Sequence, residues 1–164
     1  MKELYVVEDL PAWNPNLRSK AAVRTSDTRH YVDPSIACAA LGLGPHDLIN
    51  DLKTFGVLLA SLCIRDLHVY AEKMDGLAYH FRDSAGLEAD AVIHLRNGAW
   101  APVEVELFSN DRIEEGAKNL IKLSEMVDTT KMKKPSFLMV LTGTECAYRR
   151  PDGVYVVPSS CLKD

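Results

Sequence analysis

Two β-type runs joined by a tight turn constrain this chain more than any other feature. Ala89-Asp90-Ala91-Val92-Ile93-His94-Leu95 and Trp100 to Leu107 are mostly apolar, and Arg96-Asn97-Gly98 between them is a strong hairpin signal. Carboxylates nevertheless interrupt both runs, Glu88 and Asp90 in the first, Glu104 and Glu106 in the second. Side chains alternate along a strand, so each of these pairs shares a face. A three-residue loop with Gly98 left-handed sets Leu95 opposite Ala99, Asp90 opposite Glu104 and Glu88 opposite Glu106. A two-residue Asn97-Gly98 loop sets Asp90 opposite Val105 and splits the acids between the two sides. The first register also gathers Ala89, Ala91, Ile93 and Leu95 with Val103, Val105 and Leu107 on one apolar face, and is preferred for that reason.

Opposed like charges weaken a sheet. A fold that keeps them either leaves them on a solvated strand face or compensates them with a cation. Hard divalent ions such as Mg²⁺ or Mn²⁺ suit carboxylate oxygens, one or two per ion with waters completing the shell.

Around this hairpin the chain reads as α/β. Leu4 to Val7 is a short strand-like run with no hairpin partner nearby, followed by a basic arm with Arg18, Lys20 and Arg24. Residues 1–30 therefore read as a strand and arm at the tail of a larger upstream region, and residues 31–164 as the domain proper. Asp33-Pro34-Ser35 opens a short helix that Gly42 stops. One long helix is expected from about Asp47 to Met74, its middle buried nearly all round. Ala78 to Arg82 precedes the hairpin as a further strand. A helix follows it, capped by Asn110 or Asp111, with the stripe Ile113, Ala117, Leu120 and Ile121. Ser136 to Thr142 is apolar throughout, as in a strand buried on both faces. Pro151-Asp152-Gly153 turns a last hairpin into Val154 to Val157. The expected architecture is a mixed sheet flanked by helices.

The 164 residues are 47% hydrophobic and 26% charged with a net charge of -4, which excludes a disordered chain and a disulfide scaffold. Mild acidity argues against non-specific coating of DNA. Cys38, Cys63, Cys146 and Cys161 are far apart, without zinc-ligand spacing. No signal-peptide pattern opens the sequence, and no apolar run reaches the roughly 20 residues of a membrane span. A cytoplasmic protein with reduced thiols, away from membranes, is expected.

His30, His68, His80 and His94 read as hydrogen-bonded structural histidines, although His94 shares a strand face with Asp90. Cys63 reads as core packing. Arg149 and Arg150 beside Tyr148 could touch a phosphate backbone or solubilise an edge strand. Arg18, Lys20 and Arg24 could do the first, or dock on an acidic neighbour.

Several stretches resemble one known family: Phe55-Gly56, Ile64-Arg65-Asp66-Leu67, Tyr79-His80-Phe81-Arg82-Asp83, Gly86-Leu87-Glu88, Leu141-Thr142-Gly143-Thr144 and Ala147-Tyr148-Arg149-Arg150. His30-Tyr31-Val32-Asp33-Pro34-Ser35 and Asp152-Gly153-Val154-Tyr155-Val156-Val157-Pro158 fit the same pattern. The chain is similar to DUF4143, the C-terminal domain of a prokaryotic ATP-binding protein family. The resemblance implies a restriction-endonuclease-like, PD-(D/E)xK fold that follows an AAA+ type nucleotide-binding domain. It implies that Asp90 and Glu104 match the acids that hold Mg²⁺ for phosphodiester cleavage.

Two positions depart from that pattern. Glu106 stands where the lysine belongs, and Ala60 where a helical acid belongs. Lys118 or Lys122 could supply a migrated cation, or Asp90, Glu104 and Glu106 could hold a metal without one. No phosphate-binding Gly-x-x-x-x-Gly-Lys-Ser/Thr loop occurs in the sequence. The expected function is a nuclease-like accessory domain with a degraded catalytic site, engaging nucleic acid or protein. The alternatives are an active Mg²⁺-dependent DNA nuclease and a purely structural interaction or oligomerisation domain.

Overall fold

The structure, a computed structural model, describes residues 5–15 and 26–163. Strands β1 (Val7–Leu10) and β2 (Thr28–Tyr31) are followed by helices α1 (Pro34–Leu41), α2 (Pro45–Asn50) and α3 (Leu52–Lys73). Then come β3 (Gly76–Arg82), β4 (Glu88–Leu95), β5 (Trp100–Glu106), α4 (Asn110–Met126), β6 (Met139–Thr142), β7 (Tyr148–Arg149) and β8 (Tyr155–Pro158). Strands β3 to β8 form one mixed sheet in the order β3-β4-β5-β6-β8-β7. The protein is α/β, with helices on both faces of that sheet. On one face α3 packs Leu59, Cys63, Ile64 and Leu67 against Ala78, Ala91, Ile93, Val103 and Leu141. On the other, α4 packs Ile113, Ala117, Leu120 and Leu123 against Val92, Trp100, Val140 and Val156.

Local chemistry sets the boundaries. Asp33 caps α1 by accepting from the Ser35 amide at 2.9 Å, and Gly42, with φ at 67°, ends it in the left-handed conformation. The long helix expected from Asp47 is two helices. Asp51 leaves helical geometry to cap α3, accepting from the Thr54 amide at 3.1 Å and its hydroxyl at 2.6 Å. Nor is the middle of α3 buried all round, since Val57 and Val69 are each 58% exposed. The helix is long and apolar enough to cross a membrane by length and composition, but its Cys63-Ile64-Leu67 face is buried in the domain core. For α4 the residue in the cap position is Ser109, one before those expected. The apolar run from Ser136 enters the sheet only at Met139, after which all four residues of β6 are buried.

The N-terminal segment is not a detached arm where it is described. β1 pairs antiparallel with β2, register Val7 to Tyr31 through Leu10 to Thr28, so the strand read as solitary has its partner beyond the connecting segment. Leu10 lies in the core under α3, and Trp13, only 3% exposed, in the core under α4. Trp13 also pairs its backbone with His80 on the edge of β3 and stacks 4.7 Å from Trp100.

Candidate functional site

The Arg96-Asn97-Gly98 loop takes the three-residue form. Gly98 has φ at 81°, and the Leu95 amide donates to the Ala99 carbonyl at 2.8 Å. The resulting ladder pairs His94 with Trp100 and Ala91 with Val103. One step further, Asp90 stands opposite Glu104.

Regular pairing stops there for a reason that lies on the other side of β4. Tyr79 pairs with Val92 but Phe81 pairs with Ala89, so Asp90 and Ala91 together oppose His80 in a bulge. The bulge breaks alternation. Ala91 belongs to the core under α3, whereas Ala89 belongs to the core under α4, not to the single apolar face expected for both. Asp90 is thereby turned toward β5, where its Oδ2 accepts from the Val105 amide at 2.8 Å. A carboxylate takes the place of a ladder carbonyl.

The Asp90 and Glu104 carboxyls are neighbours close enough for each to act on the other's ionisation. Glu104 is 5% exposed, and burial, followed by the charge of Asp90, holds its carboxyl well above the usual range. Burial raises Asp90 as well, while the Val105 amide pulls it back. Glu104 Oε1 is buried with no hydrogen-bond partner among the described residues. Gly116 of α4 lies against the stem of the same side chain, where an added Cβ would lie 3.3 Å from the Glu104 Cβ.

Glu106 is half-buried at the end of β5. Burial and then Asp90 raise it, while Arg112 pulls it down. Glu88 is exposed and pairs with Arg82 at 3.4 Å. Asp90 and Glu106 line a groove of about 730 Å³ between the N-terminal parts of α3 and α4, together with Lys53, Gly56, Ala60, Phe108 and Arg112. Ala60 thus shares one concave site with Asp90 and Glu106, although α3 and the hairpin are far apart in sequence.

Other sequence candidates fall elsewhere. Lys118 and Lys122 are exposed on α4, and Lys118 acts on Glu114 rather than on the three acids. The cations lining the groove are Lys53 and Arg112, which sequence reasoning missed because no spacing ties them to the hairpin. Arg150 is held by Glu114 at 3.0 Å and Asp152 at 2.9 Å, joining α4 to the β7–β8 turn. Arg149 lies over the Tyr155 ring, 5.4 Å from its centre. Arg18, Lys20 and Arg24 lie outside the described residues. His94 accepts from the Trp13 indole at 3.1 Å and serves as a structural histidine. The Cys63 thiol, pushed up to about 12 mainly by burial, is an inert core group.

The model of the family described as a domain of unknown function, DUF4143, matches residues 55–162. The chain belongs to the DUF4143 family. That match covers α3, the acid-bearing hairpin, α4 and the last hairpin of this DUF4143 protein. No curated protein and no solved structure matches it.

The donor set suits Mg²⁺ or Mn²⁺ in part. Asp90 and Glu104 offer hard oxygens, one of them the orphaned Glu104 Oε1. Among the described residues, no three His, Cys, Asp or Glu side chains converge as a ready-made cage.

Proposed function

We propose that this chain is a nuclease-like accessory domain of restriction-endonuclease-like architecture, silent in cleavage, that works as an interaction module beside an AAA+ type ATP-binding domain in the cytoplasm. The observation that supports this most directly is the acid pair. Asp90 and Glu104 meet across adjacent strands, as the two acids of a cleavage centre would, but the third position of that centre is Glu106.

The chemistry explains the silence. Asp90 and Glu104 would hold Mg²⁺ or Mn²⁺, and the ion would supply Lewis-acid activation of a water. Phosphodiester cleavage also needs positive charge where the attacking water and the pentavalent phosphorus develop negative charge. Glu106 puts a carboxylate there. Arg112, the cation facing Glu106, is tied to Glu115 at 3.0 Å. Ala60 adds no further ligand.

Plasmid nicking in Mn²⁺ tests the reading, with wild type, Glu106→Lys and Glu104→Ala compared. Wild type is expected to leave the plasmid intact and Glu106→Lys to gain activity or metal affinity. Wild-type nicking that disappears in Glu104→Ala would establish the second reading, an active Mg²⁺-dependent nuclease, which the orphaned Glu104 oxygen favours.

A further inference from the structure

A second concavity, of about 610 Å³, shares no lining residue with the groove at the acids. Four segments distant in sequence build it: Trp13 of the N-terminal segment, Tyr79 of β3, His94 of β4, and Lys131, Met132 and Lys133 of the loop after α4. Its volume lies in the range of small-molecule sites. Hydrogen bonds hold these walls together. The Trp13 amide donates to the His80 carbonyl at 2.7 Å, which fixes the N-terminal segment on β3. The Trp100 indole donates to the Lys133 carbonyl at 2.7 Å, and the Lys133 ammonium donates to the Asn97 carbonyl at 2.8 Å, which fixes the loop on the hairpin turn.

The charge of the lining has one sign. Lys131 and Lys133 are exposed cations, and no carboxylate lines the pocket. Asp128, 3.5 Å from the Lys131 ammonium, offsets that cation. Lys133 meets a carbonyl rather than an acid, so among the described residues its charge is not offset, and two of its three N–H donors are left for a ligand. Exposed Lys134 adds to the same field. In the adjoining cleft, which shares Tyr79 and His94, Asp75 is answered by Arg96 at 3.0 Å and Glu72 faces His68 at 3.6 Å. His94 brings no negative charge. The Trp13 indole donates to its Nδ1, which leaves the neutral ring its proton on Nε2, and burial favours that neutral form. The rest of the lining is largely apolar, with the rings of Trp13 and Tyr79 and the thioether of Met132.

We propose that this pocket binds a phosphate monoester carried on a planar ring, with the phosphate at Lys133 and the ring against Tyr79, Trp13 and Met132. Lysine serves phosphate as a point charge, and aromatic walls give a flat ring its contact area. The site is independent of the acid pair, and cleavage or silence there does not bear on it.

An NMR titration of the full chain tests the proposal. Phenyl phosphate carries both parts of the ligand, phenol the ring alone and inorganic phosphate the anion alone. Phenyl phosphate is expected to shift the amides of Tyr79, Gly98, Met132 and Lys133 with about tenfold higher affinity than either part. Lys133→Gln is expected to weaken phenyl phosphate about fivefold and to leave phenol unchanged. Lys133→Arg, which keeps the charge, is expected to retain binding, and the amide spectrum of each variant shows that it is folded. Lys118→Gln, which removes a cation outside the pocket, is expected to bind as wild type does. Equal affinity for phenyl phosphate and phenol, or for phenyl phosphate and inorganic phosphate, overturns the proposal. So does a loss in Lys118→Gln as large as that in Lys133→Gln, which would mark general attraction to the surface. Benzoate or a short oligothymidylate binding at these amides as tightly as phenyl phosphate would overturn it too, by assigning the pocket to a carboxylate or to a nucleic-acid backbone.

Discussion

Asp90 and Glu104 face each other across β4 and β5, and the Glu104 carboxyl is buried there with its ionisation opposed by that burial and by the charge of Asp90. Two neighbouring anions in a buried site would repel strongly. Burial and the charge of Asp90 therefore hold the Glu104 carboxyl well above its ordinary value, while Asp90 is anchored to the Val105 amide.

Stability should therefore decline with rising pH in a way that depends on Glu104. The unfolded side chain loses its proton near the ordinary value of 4.5, while the folded one keeps it to a higher pH. In that interval the unfolded chain binds fewer protons, so stability is full below 4.5 and falls as pH rises toward the folded value. Glu104→Gln keeps the side-chain volume and removes the titrating carboxyl beside Asp90. It is expected to match wild type near pH 4.5 and to exceed it by about 1–2 kcal/mol at pH 8. Thermal melts across this range check it, and a wild-type pH slope in the variant would mean that the slope does not come from Glu104.

Gly116→Ala should destabilise, against helix propensity. An exposed helical glycine gains about 1 kcal/mol on becoming alanine. Here the new Cβ would press on the Glu104 Cβ at 3.3 Å and Cγ at 3.5 Å, and Glu104, only 5% exposed, has little room to give. Overpacking should turn the gain into a net loss of about 1 kcal/mol. Urea unfolding measures it.

Arg150 should matter for stability and not for nucleic acid. Its side chain is 13% exposed and forks between Glu114 and Asp152, which hold it firmly cationic. Arg150→Ala is expected to lower Tm by several degrees. Arg150→Lys should rescue little, because an ammonium cannot bridge both acids with the same fork. A change in oligonucleotide binding larger than the loss of folded protein would contradict this role.

Trp13 should be indispensable to the fold. It stacks on Trp100 and bonds to His94 from the far side of the molecule's sequence. Trp13→Ala is expected to cost about 3–5 kcal/mol. A chain beginning at residue 31 loses Leu10 as well and is expected to show no cooperative melt by circular dichroism.

The order of elements and the hairpin register were legible in the sequence because both follow from short-range rules. Arg96-Asn97-Gly98 marks the turn, and gathering Ala91, Ile93 and Leu95 with Val103, Val105 and Leu107 on one face selects its three-residue form over the two-residue one. From these alone Asp90 falls opposite Glu104. The helix break at Asp51 was lost in the continuous apolar stripe, since a capping side chain declares itself only through the amide it reaches. The pairing of β1 with β2 was lost because its partners are separated by a long connection, whose Pro11 and Asn14-Pro15 mark a loop but fix no hairpin register.

Tertiary structure alone decided the character of the site. The β3–β4 bulge aims Asp90 at Val105, Gly116 lets α4 close over Glu104, and the meeting of α3 with α4 places Ala60, Arg112 and Phe108 around the groove. Local propensity sets where strands turn and which way side chains alternate. Burial and the company a carboxylate keeps arise from packing between segments distant in sequence, and a one-dimensional pattern does not encode those distances.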